Sequence, residues 1–590
     1  MSLIVALQYL ASFVPILIGP PLATYIVLRQ LVNAPILVTL ASGLLSIPVA
    51  VFLGIQWKLA KDRRDAAKLG AVLAPVIEDS NILGLNTVEK SVANYTNGYM
   101  GEHMVEWANR YGWTFNTRTF FEDKYQTMEP DNIKAILASS FSSFEKGPLF
   151  ATQMRDLFGT GVFNSDGDLW KFHRSMTRPF FTRERLSDFD MFDRHAQEAI
   201  RLLGERLGEG QPVDFQDLAS RFTLDTATDF LFGSDVRSLS AELPHSSSSL
   251  SPCSKSNEEH PANTFARAFL QTQSRLALRS RYGPAWPLYE LFDGSVAKNM
   301  RIVKGYVDPI VAKALERAET NQHILDKTDG QDMNEAETLL DHLVAQTKDP
   351  VILRDETLNI LLAGRDTASL LQTASTLTST IYALLQHPEV LSRLRAEILE
   401  NIGLDRAPTL DDFRACKYLR AVINEVLRLW PAVPFNIRRS TEPVVWPAKE
   451  PGGKPIYVPA GTKCAYSVML MHRRADLWGP DATHFDPDRF LDKRLHKYLI
   501  PNPFIFLPFN GGPRICLGQQ FAYNEVSFFI VRLLQAFDSI SLALDAQPPS
   551  SLAPWSNKEK IKFKTHLTLY WEGGMWVRMR EAGTAVDVQA

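Results

Sequence analysis

The sequence predicts a mainly α protein with a minor β portion, carried behind an N-terminal membrane anchor. Three observations lead there. Between Met1 and Trp57 the only charged side chain is Arg29. From about residue 186 to residue 430, apolar residues recur at three and four spacing, as in helices that bury one face. By contrast, 431–470 is rich in Pro, Val and Gly, and 561–580 alternates polar and apolar residues, the pattern of short strands and turns.

The apolar start divides at Arg29 into Met1–Leu28 and Gln30–Trp57. Each exceeds the ~20 residues a helix needs to cross the hydrocarbon core. Gly19, Pro20 and Pro21 interrupt the first stretch and Pro35 and Pro48 the second, so one or two transmembrane helices fit. No basic segment precedes the apolar run, which argues against a cleaved signal peptide. Lys58, Lys61, Arg63, Arg64 and Lys68 follow at once and put this end on the cytosolic side. Residues 1–70 are therefore assigned to an anchor with a basic collar. A buried hydrophobic hairpin of the body is the competing reading.

Residues 71–590 are read as one catalytic unit, although 590 residues would allow about four domains by length alone. With 45% hydrophobic and 22% charged residues the chain is neither disordered nor fibrous. A net charge of −3 gives no electrostatic basis for nucleic-acid binding. Four cysteines, none in a CxxC pair, exclude a disulfide scaffold and a zinc finger. In chain order, Tyr111–Phe121 is a candidate strand, and 186–207 and 212–233 are candidate helices. A Ser/Pro-rich insertion at 237–263 reads as a polar, mobile loop. Helical periodicity returns at 264–319, 335–347, 351–401 and 409–430. The tail is expected to close as a hairpin around Gly573-Gly574.

The sharpest run is Phe509-Asn510-Gly511-Gly512-Pro513-Arg514-Ile515-Cys516-Leu517-Gly518. Glycines on both sides of a cysteine let backbone approach a flat ligand. A helix expected from Leu517 to Phe537 would turn its positive end on the sulfur and favour a thiolate. Taken alone, Cys516 reads as a small buried hydrophobe.

The run does not stand alone. It resembles the haem-binding signature F-x-x-G-x-R-x-C-x-G of the cytochrome P450 family, with Phe509, Gly512, Arg514, Cys516 and Gly518 at its five defined positions. Further matches follow the family's order. Trp170-Lys171-Phe172-His173-Arg174 fits W-x-x-x-R, and Ala363-Gly364-Arg365-Asp366-Thr367 fits the oxygen-activating helix. Glu425-Val426-Leu427-Arg428 fits E-x-x-R, and Phe485–Phe490 fits F-x-P-x-R-F. The resemblance spans roughly residues 75–580.

It implies the cytochrome P450 fold behind the anchor, with haem b held through its iron by the thiolate of Cys516. Trp170, Arg174, Arg438 and Arg514 would meet the propionates. Thr367 and Asp366 would deliver protons during oxygen activation, and Gly364 would leave room for oxygen. Glu425, Arg428 and Arg489 would form a buried structural network. Without the resemblance, Glu425 and Arg428 read as a surface i,i+3 pair worth little, and Thr367 as a back-bonded helix residue. Lys171, His173, Arg174, Arg178, Arg183 and Arg185 form a basic cluster where the family docks its electron donor.

The implied reaction is hydroxylation of a lipophilic substrate with O2. Electrons would come from NADPH–cytochrome P450 reductase, with cytochrome b5 as a second donor, at the endoplasmic reticulum membrane with the catalytic domain facing the cytosol. The motif details look most like fungal microsomal enzymes that oxidise alkanes and fatty acids. Tailoring of a terpenoid or other secondary metabolite is the alternative within the family. A non-catalytic haem- or sterol-binding membrane protein is the alternative from another class.

Overall fold

The computed structural model describes residues 2–583 apart from 80–82, 97, 120, 182–188, 234, 247–259, 326–337, 363–370, 450–451 and 553–558. Helices dominate, with small sheets at the periphery. Two N-terminal helical stretches, Leu3–Leu31 and Ile36–Lys68, are long and apolar enough to cross a membrane, and most of their surface is exposed. The second runs for 33 residues, about 50 Å at the rise of an α-helix. It passes Trp57, the end of the uncharged stretch, without a break and continues through the basic collar. Ala66 and Ala71 then pack on Tyr457. Val72–Leu73 pairs in parallel with Ile456–Val458, the middle strand of a three-stranded sheet. Lys58 bonds Asp123 at 2.9 Å.

The core of the body is a bundle formed by Phe215–Phe232, Leu371–Gln386, Lys417–Leu429 and Gln519–Ala536. These helices bury most of their surface, and aromatic pairs such as Phe222 and Phe529, with ring centroids 4.5 Å apart, interlock them. Helix starts follow local chemistry. Asp214 accepts from Gln216 N and Asp217 N at the head of the first of these helices. Thr409 and Asp412 form a reciprocal capping box before Leu410–Ala415.

A five-stranded sheet flanks the bundle in the order Thr114–Asn116, Lys124–Thr127, Lys463–Ser467, Phe435–Ser440, Phe144–Glu145. Only Lys124–Thr127 and Lys463–Ser467 run parallel within it. Its register sets Arg438 opposite Cys464.

Three sequence expectations are corrected. The strand expected over Tyr111–Phe121 shrinks to Thr114–Asn116, because the preceding helix extends to Tyr111. The polar, mobile loop expected from 237 begins as packed chain. Leu239, Ala241 and Leu243 are buried, and Ser238 N–H and Leu239 N–H donate to the Asp225 carboxylate. The serine run from Ser247 lies outside the described residues. The C-terminal hairpin pairs Phe563–Thr565 with Leu569–Trp571 and turns at His566–Thr568. Gly573 and Gly574 instead redirect the chain into Trp576–Glu581, which pairs with Phe537–Leu542 and Val213–Asp214.

Candidate active site

The cysteine loop is built from its supports upward. His472 is fully buried, and burial holds its imidazole down at about 3, so it is neutral. Its Nε2 accepts from Leu507 N–H at 2.9 Å, which leaves Nδ1 to donate to the Arg428 carbonyl at 3.1 Å. The start of the loop is thereby tied to the helix that carries Glu425 and Arg428. Tyr466 OH donates to Asn510 Oδ1 at 3.0 Å. At Gly512, φ is +63° and a Cβ would stand 1.8 Å from the Leu137 carbonyl oxygen, so any side chain there would displace the loop. Cys516 N–H donates to the Phe509 carbonyl at 3.1 Å and closes the turn. The Phe509 ring rests on Tyr523 of the helix Gln519–Ala536, whose N-terminal cap is Gly518.

The Cys516 side chain opens into a cavity. Burial pushes its thiol up to about 12; the Gly518 N–H and the Arg174 charge pull the other way. A thiolate there therefore needs a cation bound to the sulfur.

Four basic residues line the same cavity. Arg174 donates to the Ile515 carbonyl at 2.6 Å, beside the cysteine. Arg514 donates to Asp166 at 2.8 Å and to the Ser165 carbonyl at 3.0 Å, and lies over the Trp170 ring at 4.5 Å. Arg438 reaches in from its strand, held by Asn436 Oδ1 at 2.8 Å. The fourth is Lys146, which donates to the Phe163 carbonyl. Burial, with Arg438 and Arg514 close by, pushes the Lys146 ammonium well below its ordinary value. Burial likewise pulls Arg514 down to about 10. Such a crowd of cations suits a dianion that would relieve their mutual repulsion. Most of the remaining wall is apolar, with Phe150, Phe158, Val162, Phe163, Phe435 and Leu567. A sulfur donor, a cationic end and apolar faces fit the two carboxylates, the metal and the flat ring of a haem.

The structure brings Trp170, Arg174, Arg438, Phe509, Arg514 and Cys516 to this one cavity. Gly364, Asp366 and Thr367 lie outside the described residues, between the helices Pro350–Leu362 and Leu371–Gln386. Glu425, Arg428 and Arg489 form a buried cluster away from the cavity wall. Arg428 forks onto Glu425 with both contacts at 2.7 Å, and Arg489 Nε lies 3.4 Å from Glu425 Oε1. Arg428 also donates to the carbonyls of His472 and Ala482 at 2.7 and 2.5 Å. Glu425 accepts from Asp486 N–H at 3.0 Å.

One member of the basic surface cluster is corrected: His173 is fully buried and paired with Glu356. It lies three residues after Trp170, on the inward face of the helix Gly167–Thr177. Arg183 and Arg185 of that cluster lie outside the described residues. Lys146 was missed because no motif contains it; its only sequence signal is a lysine between Phe144 and Phe150.

A helical body with this cavity suits an enzyme built round a flat, dianionic cofactor ligated by a cysteine sulfur. The family model for cytochrome P450 matches residues 90–564. Cytochrome P450 monooxygenase pvhE of Talaromyces variabilis is 36% identical over 72% of this chain and 76% of its own length. Cytochrome P450 52A5 of Candida maltosa is 38% identical over 75% and 80%. Cytochrome P450 52E1 of Candida apicola is 34% identical over 87% and 93%. The chain belongs to the cytochrome P450 family. It is accordingly an oxidoreductase that uses haem with a cysteine thiolate axial ligand, O2, a small-molecule substrate and a redox partner.

Proposed function

We propose that the protein is a membrane-anchored monooxygenase that hydroxylates a long-chain fatty acid or alkane. Its electrons come from NADPH–cytochrome P450 reductase, with cytochrome b5 as a second donor, on the cytosolic face of the endoplasmic reticulum. One observation carries the reading: Cys516, four cations and an apolar wall share a single cavity. The two apolar N-terminal helices and the basic collar support a bilayer location, where lipophilic substrates concentrate.

In this reading Cys516 holds the iron, and Gly518 N–H and Phe509 tune its sulfur. Lys146, Arg174, Arg438 and Arg514 hold the propionates, with Trp170 backing Arg514 through its ring. When bound, the haem supplies the two-electron oxidation of a C–H bond by O2, which also yields water. Phe150, Phe158 and Val162 exclude water and present the chain of the substrate. The Asp366 carboxyl supplies protons through the Thr367 hydroxyl, and Gly364 leaves room for oxygen. Glu425, Arg428 and Arg489 act structurally, by fixing the loop through His472.

Full-length protein reconstituted in vesicles with reductase is expected to add one oxygen atom to long-chain fatty acids or alkanes, read by mass spectrometry. Oxidation confined to a terpenoid panel would replace this substrate class with secondary-metabolite tailoring. No NADPH consumption with any substrate would point to a non-catalytic binder. Thr367→Ala is expected to keep the haem and its carbon monoxide spectrum. Product per NADPH should fall about tenfold or more, with the difference appearing as peroxide or water, the scale of a lost proton relay. Full coupling in that variant would remove Thr367 from proton delivery.

A further inference from the structure

The helix Pro350–Leu362 does more than lead into the Asp366-Thr367 segment. Three polar side chains on it, Asp355, Glu356 and Asn359, are buried and point at the backbone of residues 158–163. Asp355 Oδ2 accepts from Thr160 N–H at 3.0 Å. Glu356 Oε1 accepts from Val162 N–H at 2.9 Å. Asn359 uses both ends of its amide: Oδ1 accepts from Phe163 N–H at 2.9 Å, and Nδ2 donates to the Phe158 carbonyl at 2.7 Å. One side chain therefore ties the two ends of a short loop together. The fit is close, since a Cβ on Gly161 would stand 2.3 Å from Asn359 Nδ2.

The other end of the Phe163 peptide is held as well, because Lys146 donates to its carbonyl. Phe158, Val162 and Phe163 all line the cavity that receives the Cys516 sulfur. Phe163 also packs edge-on against Phe158, with ring centroids 6.0 Å apart. Backbone hydrogen bonds to a buried helix leave this wall far less freedom than a loop held only by apolar contact, and they specify its position rather than its chemistry.

We propose that Asn359 is a positioning residue for substrate selection. By gripping Phe158 O and Phe163 N–H at once, it sets how far the Phe163 ring stands into the cavity and so what shape of molecule reaches the iron. Asp355 and Glu356 hold the loop between those points. Asn359→Ala would leave the Phe163 N–H without its partner and the Phe158 carbonyl with Gly161 N–H alone, and so release the wall.

The proposal rests on the haem reading above, and the test separates the two. Holoenzyme is titrated with imidazole and with 1-phenylimidazole, both ligands of the haem iron, and the Soret shift is followed. Asn359→Ala is expected to weaken 1-phenylimidazole about tenfold while imidazole stays within about twofold, a difference of ~1.4 kcal/mol. Gly161→Ala, which drives the loop off Asn359 from the opposite side, should do the same and carries the test if Asn359→Ala takes up no haem. In a Phe163→Ala background the change caused by Asn359→Ala should largely vanish, because both substitutions act on one ring. An unchanged affinity ratio in both Asn359→Ala and Gly161→Ala overturns the proposal. An equal change with and without Phe163 also overturns it. Absence of any imidazole spectrum in the unsubstituted protein overturns the haem reading itself, and this inference with it.

Discussion

Cys516→Ala is expected to abolish monooxygenase activity and to remove the long-wavelength Soret band that a thiolate ligand gives the reduced carbon monoxide complex. The loss is expected to exceed about a thousandfold, because the thiolate's electron donation is what favours O–O cleavage. The fold should survive, since Cys516 closes its turn through the backbone, by Cys516 N–H to the Phe509 carbonyl. Haem is expected to remain in part, because the cations Lys146, Arg174, Arg438 and Arg514 still line the cavity. Far-ultraviolet circular dichroism close to that of the parent, together with a shifted Soret band, is the expected pair of results. A variant that keeps the thiolate-type band would show that another group ligates the iron.

Arg428→Ala is expected to produce the largest loss of stability. Arg428 and Glu425 are both fully buried, and the guanidinium also satisfies carbonyls of His472 and Ala482. Removing it leaves Glu425 with Arg489 at the longer 3.4 Å contact and strands those carbonyls. Breaking a buried pair in this way costs about 3–5 kcal/mol, against a total of roughly 5–15 kcal/mol for a typical domain. The variant should reach a lower denaturant midpoint and a lower haem-to-protein ratio. The second effect follows because the same segment positions Leu507 through His472. Glu425→Gln should fall in the same direction, since two guanidinium groups would then share no carboxylate. A midpoint and haem content equal to those of the parent would reduce the cluster to a dispensable ion pair.

How much of this was legible in the sequence depends on whether the chemistry runs along the chain or across it. The loop Phe509–Gly518 carries its ligand, its glycines and a cation within ten consecutive positions, so its pattern survives in one dimension. Helices of the bundle were visible for a similar reason, because burying one face imposes a period of three and four. Lys146 and Asn359 were not visible. Lys146 acts on Phe163, and Asn359 acts on backbone groups some two hundred residues away. Backbone groups carry no residue identity, so such contacts leave no motif. His173 reads as a surface cation from its charged neighbours, but helical phase places it with the buried Trp170. The tail misled in a related way. Gly573-Gly574 marks a change of direction, but the hairpin closes at His566–Thr568, where strand pairing decides the turn.

The helix Ile36–Lys68 has a mechanical consequence. A peptide tether would let the catalytic body roll freely over the bilayer. Here the apolar stretch and the collar are one rod, and its far end is bolted to the body by Ala66, by Val72–Leu73 pairing and by the Lys58–Asp123 contact. Given a bilayer around the apolar stretch, the tilt of that rod becomes the tilt of the enzyme. Membrane thickness, which governs helix tilt through hydrophobic mismatch, is then transmitted as an angle to the rim of the active-site cavity. Lipid composition would thereby alter the orientation of the body over the bilayer, with no change in any side chain.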